Sequence, residues 1–215
     1  MDESLFEKIN VDWTSPALDF FMAVASSWAL WLPILVPVII LVAWRGGFHV
    51  RAWLITLALA LLMSDGVVTQ MGKKWVNRPR PHESAPFARR VDLAPTRPAI
   101  FALTQPVVVE EKFNLTPAKS GRSFPSGHVM NNVSVAMVTT LFFARWGWLC
   151  FFPALLVSYS RIYTGAHWPS DVLVCIVLAM GLAMAVCALT SAIWRKVGPK
   201  FMPRTYAAHP HWLKS

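Results

Sequence analysis

Three short polar motifs stand at the ends of apolar segments, and their residue types suit phosphoryl transfer. They are Lys73-(six residues)-Arg80-Pro81, Pro125-Ser126-Gly127-His128 and Ser160-Arg161-(five residues)-His167-(three residues)-Asp171. Together they supply three fixed cations, a helix start, and two histidines, one of which precedes a carboxylate by four positions. Charges at the edge of a bilayer are costly and usually serve a function. The motifs therefore indicate an active site in a membrane enzyme.

The first motif combines a lysine with an arginine. Lys73 ends an apolar segment, and Pro79 and Pro81 prevent the helix from continuing. Arg80 is therefore presented just past the helix end, at a depth close to that of Lys73. A guanidinium grips two phosphate oxygens, whereas an ammonium supplies a point charge. Taken alone, the stretch fits better with basic side chains that reach toward lipid headgroups.

The second motif precedes another apolar segment. Ser126 or Gly127 is expected to cap a helix there, and the free backbone N–H groups of its first turn would point at an anion. Gly127 lets a ligand approach the backbone closely. The alternative interpretation is an ordinary capped helix start, with His128 present by chance.

The third motif contains the largest number of candidate catalytic and phosphate-binding residues. On a helix His167 and Asp171 would share one face, so Asp171 could accept a hydrogen bond from His167 Nδ1–H and leave Nε2 as the nucleophile. Pro169 complicates this geometry, because it is expected to begin a helix and leave His167 in the cap region. Arg161 would be the third phosphate-binding cation. The alternative is a structural Ser-Arg pair with a capping aspartate.

These motifs resemble the three signature motifs of the type 2 phosphatidic acid phosphatase (PAP2) superfamily, and all three spacings match. The resemblance implies a helical bundle in which His167 is the nucleophile, Asp171 its orienting partner and His128 the general acid. The residues that would hold the phosphoryl oxygens are Lys73, Arg80, Ser126, Gly127 and Arg161. No cluster of Asp, Glu or His with metal-ligand spacing lies near the motifs, so we expect neither a metal nor a cofactor.

The expected activity is hydrolysis of a lipid phosphate through a phosphohistidine intermediate. Undecaprenyl pyrophosphate, phosphatidylglycerophosphate, phosphatidic acid and lipid A phosphates all remain open as substrates. One rival function is a phosphotransferase that uses the same intermediate. A vanadate-dependent haloperoxidase is disfavoured because that branch of the family is soluble, and a non-catalytic lipid-binding protein would not need both histidines and Asp171.

The composition places the chain in the membrane class. Of 215 residues, 55% are hydrophobic and 14% are charged, and the mean hydropathy is +0.47. A soluble domain would carry about a quarter charged residues. The formal net charge of +9 lies in loops beside apolar runs, so lipid headgroups and a phosphorylated substrate are better partners than nucleic acid. One domain, residues 1–215, suffices for this length.

The apolar runs predict an all-α, integral membrane helical bundle. Five spanning helices are expected at 28–44, 53–71, 127–144, 146–160 and 171–194, preceded by an amphipathic interfacial segment at 4–24. Residues 72–124 form a long polar loop on the active-site side. Cys150, Cys175 and Cys187 fall inside apolar runs and are expected to pack there. Asp65, within the second span, is expected to bond a neighbouring helix.

The charge of the short loops predicts the orientation. Basic residues collect on the side of the C-terminus: Arg45, Arg51, Arg145, Arg195, Lys196, Lys200 and Arg204. That side should be cytoplasmic by the positive-inside rule, which makes residues 196–215 a basic cytoplasmic tail. We therefore expect a bacterial inner-membrane protein whose active site faces the periplasm or cell exterior.

Overall fold

The computed structural model describes residues 2–111 and 122–213. The helices are α1 Asp2–Glu7, α2 Pro16–Ser26, α3 Trp28–Arg45, α4 Phe48–Leu61, α5 Gln70–Val76, α6 Pro81–Ser84, α7 Gly127–Phe142, α8 Ala144–Gly147, α9 Phe151–Tyr163, α10 Pro169–Phe201 and α11 Pro203–Ala208. The strands are β1 Arg89–Asp92 and β2 Val108–Glu111. Short π-helical segments at Lys8–Asp12 and Leu62–Thr69, and 3-10 turns at Ala99–Thr104 and Trp148–Cys150, connect them.

Helix α7 is the centre of the bundle and packs against α4, α9 and α10. Val129, Met130 and Val133 on α7 have no exposed surface. The facing side of α10 presents small buried residues such as Cys175 and Ala179. Small side chains let two helix backbones approach closely inside a membrane, where packing rather than water exclusion drives association.

Three helical segments are long and apolar enough to cross a bilayer among the described residues: Trp28–Arg45, Phe48–Ser84 and Pro169–Phe201. Helices α7 and α9 are shorter, with 16 and 13 residues. Each of the five segments predicted to span the membrane contains a helix, which agrees with a membrane helical bundle. The number of five spans stays a prediction.

The N-terminal segment differs from the interfacial helix predicted at 4–24. Two helices form there, and Phe6 and Met22 are buried in the main core with side chains of α7, α9 and α10. The buried amide of Asn10 donates to the backbone oxygen of Tyr163 at 2.7 Å. Part of this segment therefore packs on protein, whereas its other large apolar residues, Leu5, Trp13, Leu18, Phe20 and Phe21, are exposed. Its place at the membrane interface stays a prediction.

The long loop predicted at 72–124 begins later, because α5 continues to Val76 and ends where Asn77 adopts φ 46°. Its described part contains α6, a 3-10 turn and an antiparallel pair of strands in which Arg89 faces Glu111. The bundle is all-α as predicted, and the strand pair in this loop is an addition that the sequence did not predict. Gly165 has φ +74°, and a Cβ there would collide with the Arg89 carbonyl oxygen, so glycine is required for β1 to pack beside it. Residues 112–121 lie outside the described part.

The C-terminal segment predicted as a tail is partly folded. Helix α10 continues to Phe201, and the chain then turns back through α11. Trp194 Nε1 donates to the His209 carbonyl at 2.9 Å, and Trp212 Nε1 donates to Thr56 Oγ1 at 2.8 Å. At 1.5 Å per residue, α10 is about 50 Å long. The tail therefore lies at the opposite end of the bundle from the three motifs.

Candidate active site

All eight residues predicted for the site lie at one end of the bundle. Lys73 is on α5, Arg80 directly precedes α6, Ser126 is the N-cap of α7, Gly127 and His128 open α7, Arg161 ends α9, His167 lies between α9 and α10, and Asp171 is in the first turn of α10. The ends of five helices, α5, α6, α7, α9 and α10, thus converge at the site.

Arginines of the site place positive charge near both His128 and His167. Arg161, Lys73 and Arg80 all act electrostatically on His128. Arg161 and Arg80 also act on His167, and the two histidines interact with each other. The structure therefore brings together the histidines and the three cations that the motifs supplied separately.

Three buried donors at this site lack a protein partner within the described residues: Arg80 Nε, Arg161 Nε and Ser126 Oγ. Arg161 is anchored at its other end, where Nη1 donates to Ser26 Oγ. Arg80 and Arg161 line a cavity of about 120 Å³. Because buried polar groups are normally hydrogen-bonded, donors of this kind beside a cavity are suited to an oxyanion.

His167 is oriented by a backbone carbonyl. Its Nδ1 lies 2.5 Å from the oxygen of Ser123. A carbonyl only accepts hydrogen bonds, so Nδ1 carries the proton and Nε2 keeps its lone pair. Burial, followed by the positive charges of Arg161 and Arg80, lowers the pKa of His167 well below its usual 6.5. The ring is thus in the neutral, nucleophilic form at neutral pH.

Asp171 is placed differently from the prediction. Its carboxylate was expected to bond His167 directly, but it accepts from Ser123 Oγ at 2.5 Å and from Arg78 Nη1 at 2.7 Å. It also accepts from the backbone N of Trp168 at 3.3 Å, from the third position of α10. Because α10 begins at Pro169, the carboxylate turns back toward the helix start, and Ser123 lies between it and His167.

Two residues at the site were not singled out from the sequence. Arg78 lies inside the first motif, in the stretch whose basic side chains are expected to reach toward headgroups, and its Arg-Pro-Arg-Pro sequence sets it at the same helix end as Arg80. Ser123 carries no sequence signal, because a single serine before a motif is common. Its place depends on how the loop returns to α7.

Gly127 allows the start of α7 to pack closely on its neighbours, in addition to the expected approach of a ligand to the backbone. A Cβ at Gly127 would lie 3.0 Å from Oδ1 of Asp65 and 3.6 Å from Cγ2 of Thr69. Asp65 belongs to the π-helical segment and also acts electrostatically on Lys73. The intramembrane carboxylate, predicted to bond a neighbouring helix, thus lies beside the start of α7 and near a site cation. Such π-helical segments are common at functional sites.

A second cavity adjoins the site. It has a volume of about 340 Å³ and is lined by Gln70, Lys73, Lys74, Asn77 and Arg122. Lys73 lines this cavity and interacts electrostatically with Arg122 and with Arg80, which lines the first cavity. The positive charge of the site therefore extends beyond what one phosphate group would occupy.

The chain is similar to known proteins in both its sequence and its fold. The model of the PAP2 superfamily matches residues 52–195. An undecaprenyl-diphosphatase from Sulfolobus acidocaldarius is 39% identical over 66 residues, which is 30% of this chain and only 32% of that relative. YbjG from Escherichia coli, whose name describes it provisionally as an undecaprenyl-diphosphatase, is 27% identical over 94% of this chain and 86% of its own. The crystal structure of LpxE from Aquifex aeolicus superposes with a TM-score of 0.55, at 22% identity, over 86% of this chain and 93% of that one.

Proposed function

The chain belongs to the PAP2 superfamily, and we propose that it hydrolyses a lipid phosphate through a phosphohistidine on His167. The observation that supports the proposal is a group of buried donors on Arg80, Arg161 and Ser126 that have no partner among the described residues and lie near two histidines. These donors match the equatorial oxygens of a phosphoryl group in transfer.

In the proposed mechanism the terminal phosphate binds between Lys73, Arg80 and Arg161. Nε2 of His167 attacks phosphorus in line, the bond from phosphorus to the departing oxygen breaks, and His128 gives that oxygen a proton. Water then attacks the phosphohistidine while His128 takes a proton from that water, and the bond between phosphorus and Nε2 breaks, which frees His167 and inorganic phosphate. Fixed cations in a partly dry site stabilise the charge on the phosphoryl oxygens.

The proposed substrate is a lipid diphosphate, with undecaprenyl diphosphate first. Two relatives carry that substrate in their names. The second cavity, with Lys74 and Arg122 beside Lys73, offers cations for a second phosphate group. Phosphatidylglycerophosphate, phosphatidic acid and lipid A phosphates are the competing monoester substrates.

The site is proposed to face the periplasm or cell exterior of a bacterial inner membrane. The basic short loops and the folded C-terminal segment would then be cytoplasmic. The substrate would be presented in the outer leaflet, with its phosphate at the helix ends and its chains beside the apolar helices.

The test is phosphate release by the purified protein in detergent from each of these lipids, with His167→Ala as the inactive control. We expect the highest kcat/KM for the lipid diphosphate and no release by the variant. Release from none of the lipids, or undiminished release by His167→Ala, would overturn the proposal. Adding an acceptor lipid separates hydrolysis from transfer, because a phosphotransferase would yield phosphorylated acceptor in place of free phosphate.

A further inference from the structure

Ser123 forms hydrogen bonds with residues of the first and third motifs and lies two residues before the second. Its side chain is fully buried, and each of its polar atoms has a partner. The backbone N–H donates to the Arg78 carbonyl at 2.8 Å, Oγ donates to Asp171 at 2.5 Å, and the carbonyl accepts from His167 Nδ1 at 2.5 Å. One residue outside the motifs thus contacts the nucleophile, its aspartate and the basic segment after α5.

Both oxygens of Asp171 are occupied by other groups. Oδ1 accepts from Arg78, and Oδ2 accepts from Ser123 and from the Trp168 backbone. The Asp171 side chain is only 2% exposed, so its charge is balanced chiefly by Arg78. The side-chain route from Asp171 to the ring of His167 therefore passes through Ser123.

Arg78 is itself held by the N-terminal helix. Asp2 accepts from Arg78 Nη2 at 2.7 Å, and it also accepts from Ser170 N at 2.9 Å and Ser170 Oγ at 2.6 Å. Partial burial would raise the pKa of Asp2, but the bonds from Ser170 and Arg78 lower it, so the carboxylate is ionised at neutral pH. The guanidinium is fixed at both ends between two carboxylates.

We propose that Ser123 is a positioning residue that couples Asp171 to His167, and that Asp2 and Arg78 hold this coupling in place. The proposal rests on the proposed function only for its kinetic readout. In-line attack needs the Nε2 lone pair aimed at phosphorus, and a misplacement of about 1 Å costs on the order of 10²-fold in rate. The Ser123 carbonyl fixes the orientation of the His167 ring. The Asp171–Arg78 ion pair, through Ser123 Oγ, fixes the position of that carbonyl.

The kinetic test is a double-mutant cycle. Ser123→Ala and Asp171→Asn should each lower kcat by about 10- to 100-fold, with KM changed less than about threefold, because substrate binding uses other residues. If Ser123 carries the coupling, the double variant should be no slower than Asp171→Asn alone. Rate losses that multiply would overturn the coupling.

Ser134→Ala is the matched control. Ser134, on α7, is another fully buried serine, and its hydroxyl has no partner among the described residues. This variant should keep wild-type kcat and thermal stability. A loss equal to that of Ser123→Ala would show that deleting any buried hydroxyl in this bundle impairs the enzyme, and would overturn the specific role of Ser123.

The N-terminal helix is tested with a matched pair of changes. Asp2→Asn removes the carboxylate that holds Arg78, whereas Glu3→Gln removes an exposed one on the same helix. Asp2→Asn should lower kcat with little change in KM, Asp2→Asn combined with Ser123→Ala should be no slower than Ser123→Ala, and Glu3→Gln should be unchanged. A wild-type kcat in Asp2→Asn would show that the N-terminal helix takes no part in the coupling.

A readout without substrate separates the two proposals. Nitrogen NMR of labelled histidine rings reports which nitrogen of His167 is protonated, with assignment from His167→Ala. The wild type should show the Nδ1–H tautomer, and Ser123→Ala should show both tautomers. If the wild-type protein releases no phosphate from any lipid, the proposed function fails, and the spectra still decide the coupling: identical spectra for the two proteins would overturn it.

Discussion

Arg78 and Asp171 form an ion pair of 2.7 Å between residues that stand 93 positions apart in the chain. The pair ties the segment after α5 to the first turn of α10. A buried carboxylate with one charged partner depends strongly on that partner. Changes at either residue should therefore affect both the geometry of the site and the stability of the bundle.

Asp171→Asn keeps the shape of the side chain and removes its charge. We expect kcat to fall by about 10- to 100-fold, since the ring of His167 loses its fixed carbonyl position. The melting temperature should fall too, because Asp2 would then be the one charged partner left to Arg78 among the described residues. Phosphate release and thermal unfolding measure the two effects. Asp12→Asn, which alters an exposed aspartate, should change neither, and an Asp171→Asn protein with normal kcat would contradict the assignment.

His128→Ala should trap the covalent intermediate. With a substrate whose leaving group departs without a proton, such as an aryl phosphate, His167 can still be phosphorylated, but water lacks its base. Labelled phosphate should therefore accumulate on His167, as read by rapid quench and peptide mass spectrometry. His211→Ala, in the C-terminal segment, should behave as wild type. Label on a residue other than His167 would show that the nucleophile is misassigned.

The pH dependence follows from the depressed pKa of His167. A histidine nucleophile is active when neutral, and a lowered pKa keeps it neutral as the pH falls through 6.5. The acid-side loss of kcat/KM due to this ring should therefore begin below pH 6.5. Histidine NMR over the same pH range identifies the ring, and protonation of His167 at or above pH 6.5 would contradict the effect of burial and of the neighbouring arginines.

Turnover should continue in the presence of a metal chelator. The charge that a divalent ion would supply is proposed to come from Lys73, Arg80 and Arg161, so EDTA should leave kcat within about twofold of its value without EDTA. Vanadate, which adopts the five-coordinate geometry of phosphorus in transfer, should inhibit competitively. Activity abolished by EDTA and restored by magnesium would contradict this mechanism.

The side of the membrane on which each segment lies can be determined by labelling single cysteines in intact cells. On a background in which Cys150, Cys175 and Cys187 are replaced by serine, Gln105→Cys reports the active-site loop and Ala208→Cys the C-terminal segment. Both side chains are exposed. A membrane-impermeant thiol reagent should label position 105 and not position 208. The reverse pattern would show that the site faces the cytoplasm and that the substrate must be presented there.

The sequence predicted the parts of this molecule that are set by local patterns. Apolar runs placed the five predicted helical segments, and motif spacing identified the family. Convergence of the eight site residues at one end of the bundle agrees with the prediction, since each motif adjoins a helix terminus. Their chemical roles stay predictions until the variants are assayed.

The parts that the sequence did not predict depend on long-range contacts. Periodicity could not show that Phe6 packs on the bundle instead of lipid, because both surroundings are apolar. The helical spacing of His167 and Asp171 suggested a direct bond, but Pro169 starts α10 between them and the carboxylate turns toward the cap. Ser123 reaches the site only because the loop returns beside Arg78.

The exposed apolar side of α3, on which no residue is buried in the protein, has a consequence for how rates must be expressed. A lipid approaches the helix ends by diffusing within the same sheet of lipid that surrounds α3, so its encounters with the site occur in two dimensions. The relevant concentration is then the mole fraction of substrate in the bilayer or micelle. Adding neutral detergent at constant bulk substrate should slow turnover by surface dilution, although nothing in the protein has changed.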